Sequence, residues 1–595
     1  MGALAQTGIE RLTLAFVLLI FLIPFVLPIH RLPQTLFDGE WTAAILLCGA
    51  ALALGLLRKQ QVPINLPLPL WLVSMVGVVA IQYSLGKLAY RSQFSLCCVY
   101  AFALLGAYWI GRALLAYRLR DAAVATTAWA LVIGAIFSVA IQWLQLFNVQ
   151  GLPVWLYFEI EDPWFRTRPF ANIGQANHLA TYLVWGLFAT LYLHRRSLRL
   201  PATLACAFVI ALGLALTRSR MGALFMLAPL AACWLPWAMR PATLRERAGV
   251  TLAVLLGYVA GSSAVSMLVA FNGIAVDTAL ARFGETGGFS IRWGMWADAV
   301  RVAATAPWLG TGFGQFPLSQ YLLARPGGHE ISTNNVHNLV LQTAAELGWP
   351  LALGLCGLLL WWVIAQFKQR MNVRETAFAW ALVVAILVHA LLEWPLASLY
   401  FSIPAVLIFA LAEPEGGARL GATVLKSRLL LVVAAAGLVL GATMKLEFDE
   451  ISGVMYRADA ERKTTKGLDE DTLRQMLALS STSMLRVYPE LLLASLRKPG
   501  AVEATEEEIE LHQRVLVRSA DPLIVARLVI LNAQAGRIDE SLRHAERLWI
   551  FNKDDYALLG KMILKAIEPL GATADPVRRE VAARLQEAPE PAARK

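Results

Sequence analysis

Long apolar runs dominate the first 445 residues and are separated by short polar or basic stretches. A helix needs about 20 apolar residues to cross a hydrocarbon core ~30 Å thick. Runs of that order predict spans at 12–29, 41–57, 67–85, 94–111, 122–147, 177–193, 201–217, 221–238, 249–271, 338–365, 376–393, 396–412 and 429–446. So many crossings make the bundle itself the working part rather than an anchor. Beyond them the pattern changes: in ADPLIVARLVILNAQAGRIDESLRHAERLWI apolar positions recur at helical spacing between charged ones, which predicts short helices packed in pairs.

The expected fold is therefore all-α, a polytopic membrane helix bundle of about 13 transmembrane helices over 1–447 followed by a soluble helical domain over 448–595. The Ala, Leu and Gly placement in that last part loosely resembles tetratricopeptide repeats, without a full repeat at a fixed period. The tail after Glu587 has the composition of a disordered segment. The N-terminal apolar run lacks a cleavage site of small residues and reads as an uncleaved first span.

Composition agrees with the membrane class: 58% of the 595 residues are hydrophobic and 16% charged. The net charge of +10 does not point to nucleic acid, because the basic residues are spread through short loops. Alternate connections carry Arg58-Lys59, Arg118 with Arg120, Arg195-Arg196, Arg240 with Arg245 and Arg247, Lys368 with Arg370 and Arg374, and Lys426 with Arg428. The positive-inside bias makes these connections and the N-terminus cytoplasmic. The loops 148–176 and 272–336, the turn at 218–220, the turn at 393–400 and the C-terminal domain then fall together on the opposite side. All six cysteines lie inside apolar runs and form no disulfide or metal-ligand pattern.

Polar clusters punctuate that opposite side. FANIGQANHLATYL brings Asn172, Gln175, Asn177 and His178 to the mouth of an apolar helix, either to line a cavity or to tie neighbouring helices together. LTRSRMGAL places Arg218 and Arg220 where two spans meet, against the charge bias. A guanidinium there suits a phosphate through paired charge-assisted hydrogen bonds; the alternative is a pair of arginines snorkelling at an interface. Arg292 lies in SIRWGMWADAVRV, an amphipathic interfacial pattern, as a third cation or a plain surface charge.

His337 opens a span in STNNVHNLVLQTAAELGWP, flanked by Asn334, Asn335 and Asn338, with Gln342 and Glu346 following at helical spacing. A neutral imidazole suits a general base for a hydroxyl nucleophile, although a histidine at a helix mouth is more often structural. His389, Glu393 and Tyr400 stand in VHALLEWPLASLYF, where the His/Glu spacing of four reads more readily as a hydrogen-bonded pair than as a zinc half-site lacking its other ligands. No phosphate-binding lysine loop, dinucleotide fingerprint or acidic metal pair stands out, and charged residues within spans are scarce, which argues against an ion-coupled transporter.

These segments resemble the O-antigen ligase/polymerase superfamily, most closely its PglL-type protein O-oligosaccharyltransferases. RPFANIGQANHLATYL is similar to the family's Gln-Asn-His signature, LTRSRMGAL to its Ser-Arg segment, and RWGMWADAV with PWLGTGFGQF to its Arg-Trp and glycine-rich stretch. VHNLVLQTAAELGWP resembles its His-Asn-Leu helix and HALLEWPLASLYF its last polar segment, so five motifs run in family order from about 168 to 401.

The resemblance implies transfer of an oligosaccharide from undecaprenyl diphosphate to Ser or Thr hydroxyls of a periplasmic, pilin-like acceptor at the bacterial inner membrane. It implies His337 as general base, or at least as the group that orients the acceptor hydroxyl, Arg220 and Arg292 as diphosphate ligands, and Gln175, Asn177 and His178 as glycan or acceptor contacts. Arg218, Asn338, His389, Glu393 and Tyr400 join them as substrate-binding candidates, with Arg218 set apart because the family's arginine directly follows the serine. A diphosphate leaving group is already activated, so that account requires neither metal nor other cofactor. A ligase acting on lipid A–core and a glycan polymerase are the alternatives within the superfamily. A polysaccharide exporter or flippase would instead spread its polar residues along a path through the bundle.

Overall fold

The computed structural model describes residues 3–57, 62–160, 167–235, 239, 242–271, 287–327, 329–368, 374–413, 427–462, 469–496 and 504–589. Among these residues the chain is helical, and its extended pairing is limited to an isolated bridge between His194 and Leu198. The all-α expectation holds. Arg58, Lys59, Arg240, Arg370 and Lys426 of the charge pattern, residues 272–286 of the long loop and residues 590–595 of the tail lie outside the described residues.

Seven described helices are long and apolar enough to cross a membrane: Gln6–Val26, Phe37–Gly55, Pro67–Ser84, Arg91–Ala116, Arg120–Leu146, Leu244–Met267 and Leu430–Glu461. The expectation of about thirteen spans is not reproduced by that measure, for identifiable reasons. The run 338–365 is two helices, Leu339–Leu347 and Trp349–Lys368, separated at Gly348, whose φ of 91° no helix accommodates. The run 221–238 begins as Arg220–Phe225 and continues as Leu227–Trp234. Leu200–Leu216 and Leu399–Ala412 are apolar but shorter.

The chain divides into two compact units that interleave in sequence. The first comprises Met1–Leu72, Tyr100–Thr286 and Gly357–Lys445. At its centre stands Ala176–Leu193, in which every residue except Asn177 is buried. Tyr182 donates to the Phe21 carbonyl at 2.9 Å and Trp185 to that of Leu382 at 3.0 Å. Phe25 stacks on Tyr182 with centroids 4.3 Å apart and meets Trp185, Tyr400 and Phe401 edge-on. At the helix's C-terminal end Arg374 donates to the carbonyls of Leu191 and His194, at 3.1 and 2.6 Å, where a cation complements the helix dipole. Farther out, Gly257 and Gly261 of the Leu244–Phe271 helix lie against the Phe208 and Leu212 carbonyls of Leu200–Leu216; a side chain at either would land on that backbone. This is the close approach that small residues four apart allow between membrane helices.

The second unit comprises Val73–Val99, Gly287–Cys356 and Leu446–Lys595. Two packing arrangements organise it. In one, the glycine-rich stretch 307–316 folds around the end of Leu339–Leu347. Thr311 N–H donates to the Ala345 carbonyl at 3.0 Å and Gly312 N–H to that of Glu346 at 3.2 Å, while Phe316 N–H donates to the Glu346 carboxyl oxygen at 3.2 Å. Gln82 binds the same knot, donating to the carbonyls of Leu309 and Glu346 and accepting from Phe313 N–H. Gly310 has φ of 69°, and a side chain there would strike the Glu346 peptide.

The other arrangement is a core of paired helices, including Pro522–Gln534, Ile538–Phe551, Lys553–Ile567 and Asp575–Glu587. Asp521 caps the first of these through Leu523 N–H and Ile524 N–H, with Pro522 at its opening position, and Gly536, at φ of 71°, turns the chain into the next. The buried Tyr321 enters this core and lies 2.6 Å from His544 Nδ1, beneath the Arg547 guanidinium.

Two outcomes follow from this packing. Gly310→Ala combines a left-handed backbone with a collision on Glu346, so the full-length variant should melt below wild type by several degrees, as a loss of roughly 1–3 kcal/mol would give. An unchanged melting temperature would show that the 307–316 stretch does not depend on that glycine. Burial, with Arg547 beside it, pushes the His544 imidazole down to about 4 from its ordinary 6.5. The unfolded chain then binds a proton that the folded chain refuses, so the contribution of neutral His544 is full above about pH 6.5 and falls as pH drops toward 4. Melting temperature measured against pH should lose slope over that interval in His544→Phe, and an identical slope would contradict the assignment.

Candidate functional site

Three of the polar segments share one local construction: a residue with left-handed backbone, then an extended residue at the N-cap position, then a helix. Gly174 (φ 84°) and Gln175 precede Ala176–Leu193; Arg218 (φ 50°) and Ser219 precede Arg220–Phe225; His337 (φ 52°) and Asn338 precede Leu339–Leu347. A positive φ is costly for a residue with a side chain and persists where the surroundings enforce it, commonly at functional positions. Such a reversal turns the chain sharply into the helix.

In the first unit, Asn172 serves the fold. Its amide donates to the carbonyls of Val26 and Leu156, both at 2.9 Å, and accepts from Phe158 N–H at 3.0 Å. His30 Nε2 lies 2.8 Å from the Asn172 carbonyl, and its ring occupies the space a side chain at Gly174 would need. Gln145 clamps the same turn, accepting from Ala171 N–H and donating to the Ala171 carbonyl, each at 2.8 Å. One of the four polar residues at the helix mouth is thus a staple, while Gln175 remains half-buried beside it.

The others join residues from distant sequence. Asn177 donates to Glu393 at 3.0 Å and accepts from the Ser219 hydroxyl at 2.8 Å. Ser219 also accepts from Gly222 N–H at 3.0 Å and so caps the helix that starts with Arg220. The Tyr400 hydroxyl lies 2.5 Å from His178 Nδ1, and the Thr181 hydroxyl 2.8 Å from His389 Nδ1. The two imidazoles meet edge-to-face at 5.6 Å. The Arg374–Ala390 helix ends just before Glu393, which lies in the following turn rather than on the same helical face as His389. His389 Nδ1 meets the Thr181 hydroxyl, and Glu393 accepts from Asn177.

The two arginines of LTRSRMGAL have different environments. Arg218 is buried, 6% exposed, and donates to the Thr167 carbonyl at 3.3 Å. Arg220 is half-buried at the first position of its helix. The two side chains thus differ in burial, and Arg218 has a donor on a protein carbonyl.

In the second unit, Arg292 lies on the Gly287–Thr305 helix, whose Met295, Ala299 and Val302 are buried while Ile291 and Trp293 are exposed, so the amphipathic pattern expected there begins only at Met295. Asp298, further along the same helix, is a hub. It is paired with Arg301, accepts from Gln320 at 2.7 Å and faces His329 Nδ1 at 3.3 Å. Gln320 in turn holds the approach to His337, donating to the Ile331 carbonyl and accepting from Thr333 N–H. Although Asp298 is buried, His329, Gln320 and Arg301 hold its carboxyl below its ordinary range.

His337 itself is half-buried, with its N–H on the Asn335 side chain at 3.1 Å. Asn338 caps the next helix through Val340 N–H and Leu341 N–H, at 3.1 and 3.0 Å. Gln342 accepts from Val336 N–H at 2.7 Å and donates to Glu346 at 2.8 Å. The reversed backbone at His337 is therefore held on both sides by side-chain bonds.

Within the first unit the structure bonds Asn177 to Glu393 and to Ser219, the cap before Arg220, and separately pairs His178 with Tyr400 and His389 with Thr181, the two imidazoles meeting edge-to-face. It places Arg292, His337 and Asn338 in the second unit. Ser219 and Thr181, absent from the sequence-based site, take part in the bonds of the first unit. The sequence does carry a signal for Ser219, since a serine directly before a short helical run is a favoured cap.

Three family models match the chain. The one described as O-antigen ligase covers residues 204–356, the one for the C-terminal part of a virulence factor membrane-bound polymerase covers 377–560, and the one for a protein glycosylation ligase covers 169–194. A general O-oligosaccharyltransferase of Acinetobacter baylyi is 26% identical over 404 residues, a similarity spanning 65% of this chain and 67% of that protein. In these matches and in its helical, multi-pass architecture the chain is a glycosyltransferase similar to the O-antigen ligase/polymerase superfamily and, within it, to PglL-type protein O-oligosaccharyltransferases.

Proposed function

We propose that this protein transfers an oligosaccharide from undecaprenyl diphosphate to Ser or Thr hydroxyls of periplasmic acceptor proteins such as pilin. It would work in the bacterial inner membrane with a cytoplasmic N-terminus and a periplasmic active face. The observation that carries this reading is the match to a protein glycosylation ligase over 169–194, the segment whose Asn177 and His178 anchor the polar group of the first unit.

In the proposed step the acceptor oxygen forms a bond to the anomeric carbon as the bond from that carbon to the diphosphate oxygen breaks. The hydroxyl proton passes to His337 as general base, and undecaprenyl diphosphate leaves. Arg220 and Arg292 offset the charge that develops on the diphosphate, a fixed electrostatic contribution of the kind that dominates many enzymes. Gln175, His178, His389 and Tyr400 contribute contacts to glycan or acceptor, and a left-handed backbone at His337 supports a presented imidazole.

A second reading within the superfamily, glycan polymerisation or ligation to lipid A–core, draws on the matches described for an O-antigen ligase and a membrane-bound polymerase. The two readings separate on the acceptor. Intact mass of a pilin co-produced with this chain and a lipid-linked glycan pathway should rise by one glycan. Glycan found only on lipid A–core, or lengthened on its carrier, would favour the second reading.

His337→Ala should abolish transfer while membrane insertion stays normal, and retained activity would remove His337 as base. Arg220→Lys and Arg292→Lys should each lower kcat/KM for the lipid donor roughly tenfold or more, because an ammonium does not reproduce the guanidinium fork. Wild-type rates in both would exclude a diphosphate clamp.

A further inference from the structure

We infer that Glu393, Asn177 and Ser219 form a positioning relay that sets the direction of Arg220, so that Asn177 and Glu393 act through the arginine instead of on substrate. The inference rests on the role given to Arg220 in the oligosaccharyltransferase reading. It starts from the proton inventory of one hydroxyl. Ser219 Oγ lies 3.0 Å from Gly222 N and 2.8 Å from Asn177 Oδ1. A backbone N–H can only donate, so the serine oxygen accepts there. A carboxylate can only accept, so the Asn177 amide turns its nitrogen to Glu393, 3.0 Å away, which leaves its oxygen to take the Ser219 proton.

Water competes little for these bonds, since Ser219 is 2% and Glu393 5% exposed. The relay therefore runs in one direction, from the carboxylate through the amide and hydroxyl to the backbone of the Arg220–Phe225 helix. The helix runs on through Met226 into Leu227–Trp234, so the part that depends on the cap is its first turn, whose N–H groups have no acceptor within the helix. Its first residue points where the cap and the preceding left-handed turn at Arg218 send it. Asn177 is also the one residue of the Ala176–Leu193 helix outside the buried set, so the relay joins the central pillar of the first unit to the short helix bearing Arg220.

The logic of donors and acceptors supplies a test by second-site rescue. Asn177→Asp still accepts from Ser219 but turns a second carboxylate toward Glu393. Glu393→Gln alone keeps an acceptor oxygen for Asn177 and should cost less than Asn177→Asp. When the two substitutions are combined, the introduced glutamine amide donates to the introduced aspartate, which rebuilds the relay with donor and acceptor exchanged.

Full-length protein in lipid nanodiscs would be supplied with a synthetic polyprenyl-diphosphate-linked oligosaccharide and a pilin acceptor. Release of polyprenyl diphosphate would be measured against donor concentration. Asn177→Asp should lower kcat/KM for the donor roughly tenfold or more with acceptor KM unchanged, as for a disrupted buried hydrogen bond to a charged group. The double variant should return to within about threefold of Glu393→Gln. Ser219→Ala should reproduce the donor defect, and adding Asn177→Asp to it should cost less than in wild type because the link is already cut. A double variant no better than Asn177→Asp, or Ser219 and Asn177 effects that simply multiply, would overturn the relay. Because donor release reports the relay whichever acceptor takes the glycan, an unmodified pilin would defeat the protein-acceptor reading separately.

Discussion

The Ala176–Leu193 helix is surrounded by protein on nearly every side, and that burial governs the rest of the first unit. Where no water reaches, each polar group must find its partner within the chain, and the penalty for failing is larger in an apolar surrounding than in a soluble protein. The helix meets this demand differently along its length. Its middle uses Tyr182 and Trp185 on neighbouring carbonyls, and its entry uses Asn177, His178 and Thr181, whose partners Glu393, Tyr400 and His389 come from more than two hundred residues away. Satisfying the entry therefore draws the first and last polar segments of the unit together.

The recurrence of a left-handed residue before each helix entry has a mechanical consequence. A smooth entry would let a helix fray and its first side chains swing, whereas a reversed residue followed by a bonded cap fixes the first turn. Ser219 and Asn338 both supply that cap. At His337 the constraint is doubled by Asn335 on one side and Gln342 on the other, and the 307–316 stretch holds the far end of the same helix through Glu346. A side chain so mounted loses little further freedom when it meets a substrate, which is the energetic advantage of preorganisation.

Much of this is legible in the sequence, and the failures have physical causes. Helical periodicity gives the all-α class, and the glycine of ELGWP marks a turn even where hydropathy suggests a single span across it. Hydropathy averages over such a break, while the backbone at Gly348 cannot. The segment before it carries Gln342 and Glu346, and those belong to a packed knot rather than a lipid-facing span. Asn172 resembles a ligand because a polar residue in an apolar setting invites that reading; its three bonds go to Val26, Leu156 and Phe158, partners that no local spacing reveals. Arg218 and Arg220 differ in the sequence only by their place around Ser219, and the structure adds a difference in burial. Asn338, a substrate-binding candidate, also caps the helix it opens, its oxygen accepting from two backbone N–H groups that helical spacing alone does not reveal.

The two ends of the Ala176–Leu193 helix also show how charge placement and site chemistry agree. At the C-terminal end the cations are engaged by protein: Arg374 by carbonyls, Arg196 by Glu375 and Arg195 by Glu246. That end leads into a loop carrying basic residues of the charge pattern, and pairing them with carboxylates and a helix terminus stabilises them without creating an anion site. The N-terminal end is built from a different choice of side chain, a neutral amide set between Glu393 and the Ser219 hydroxyl. An aspartate at Asn177 would accept from Ser219 equally well, but it would add a second negative charge against Ser219, the residue directly before Arg220. In a setting that excludes water such a charge is poorly screened, and it would oppose the diphosphate that the proposed chemistry has to hold. Asparagine avoids that conflict, because it passes on the direction of a hydrogen bond without adding charge.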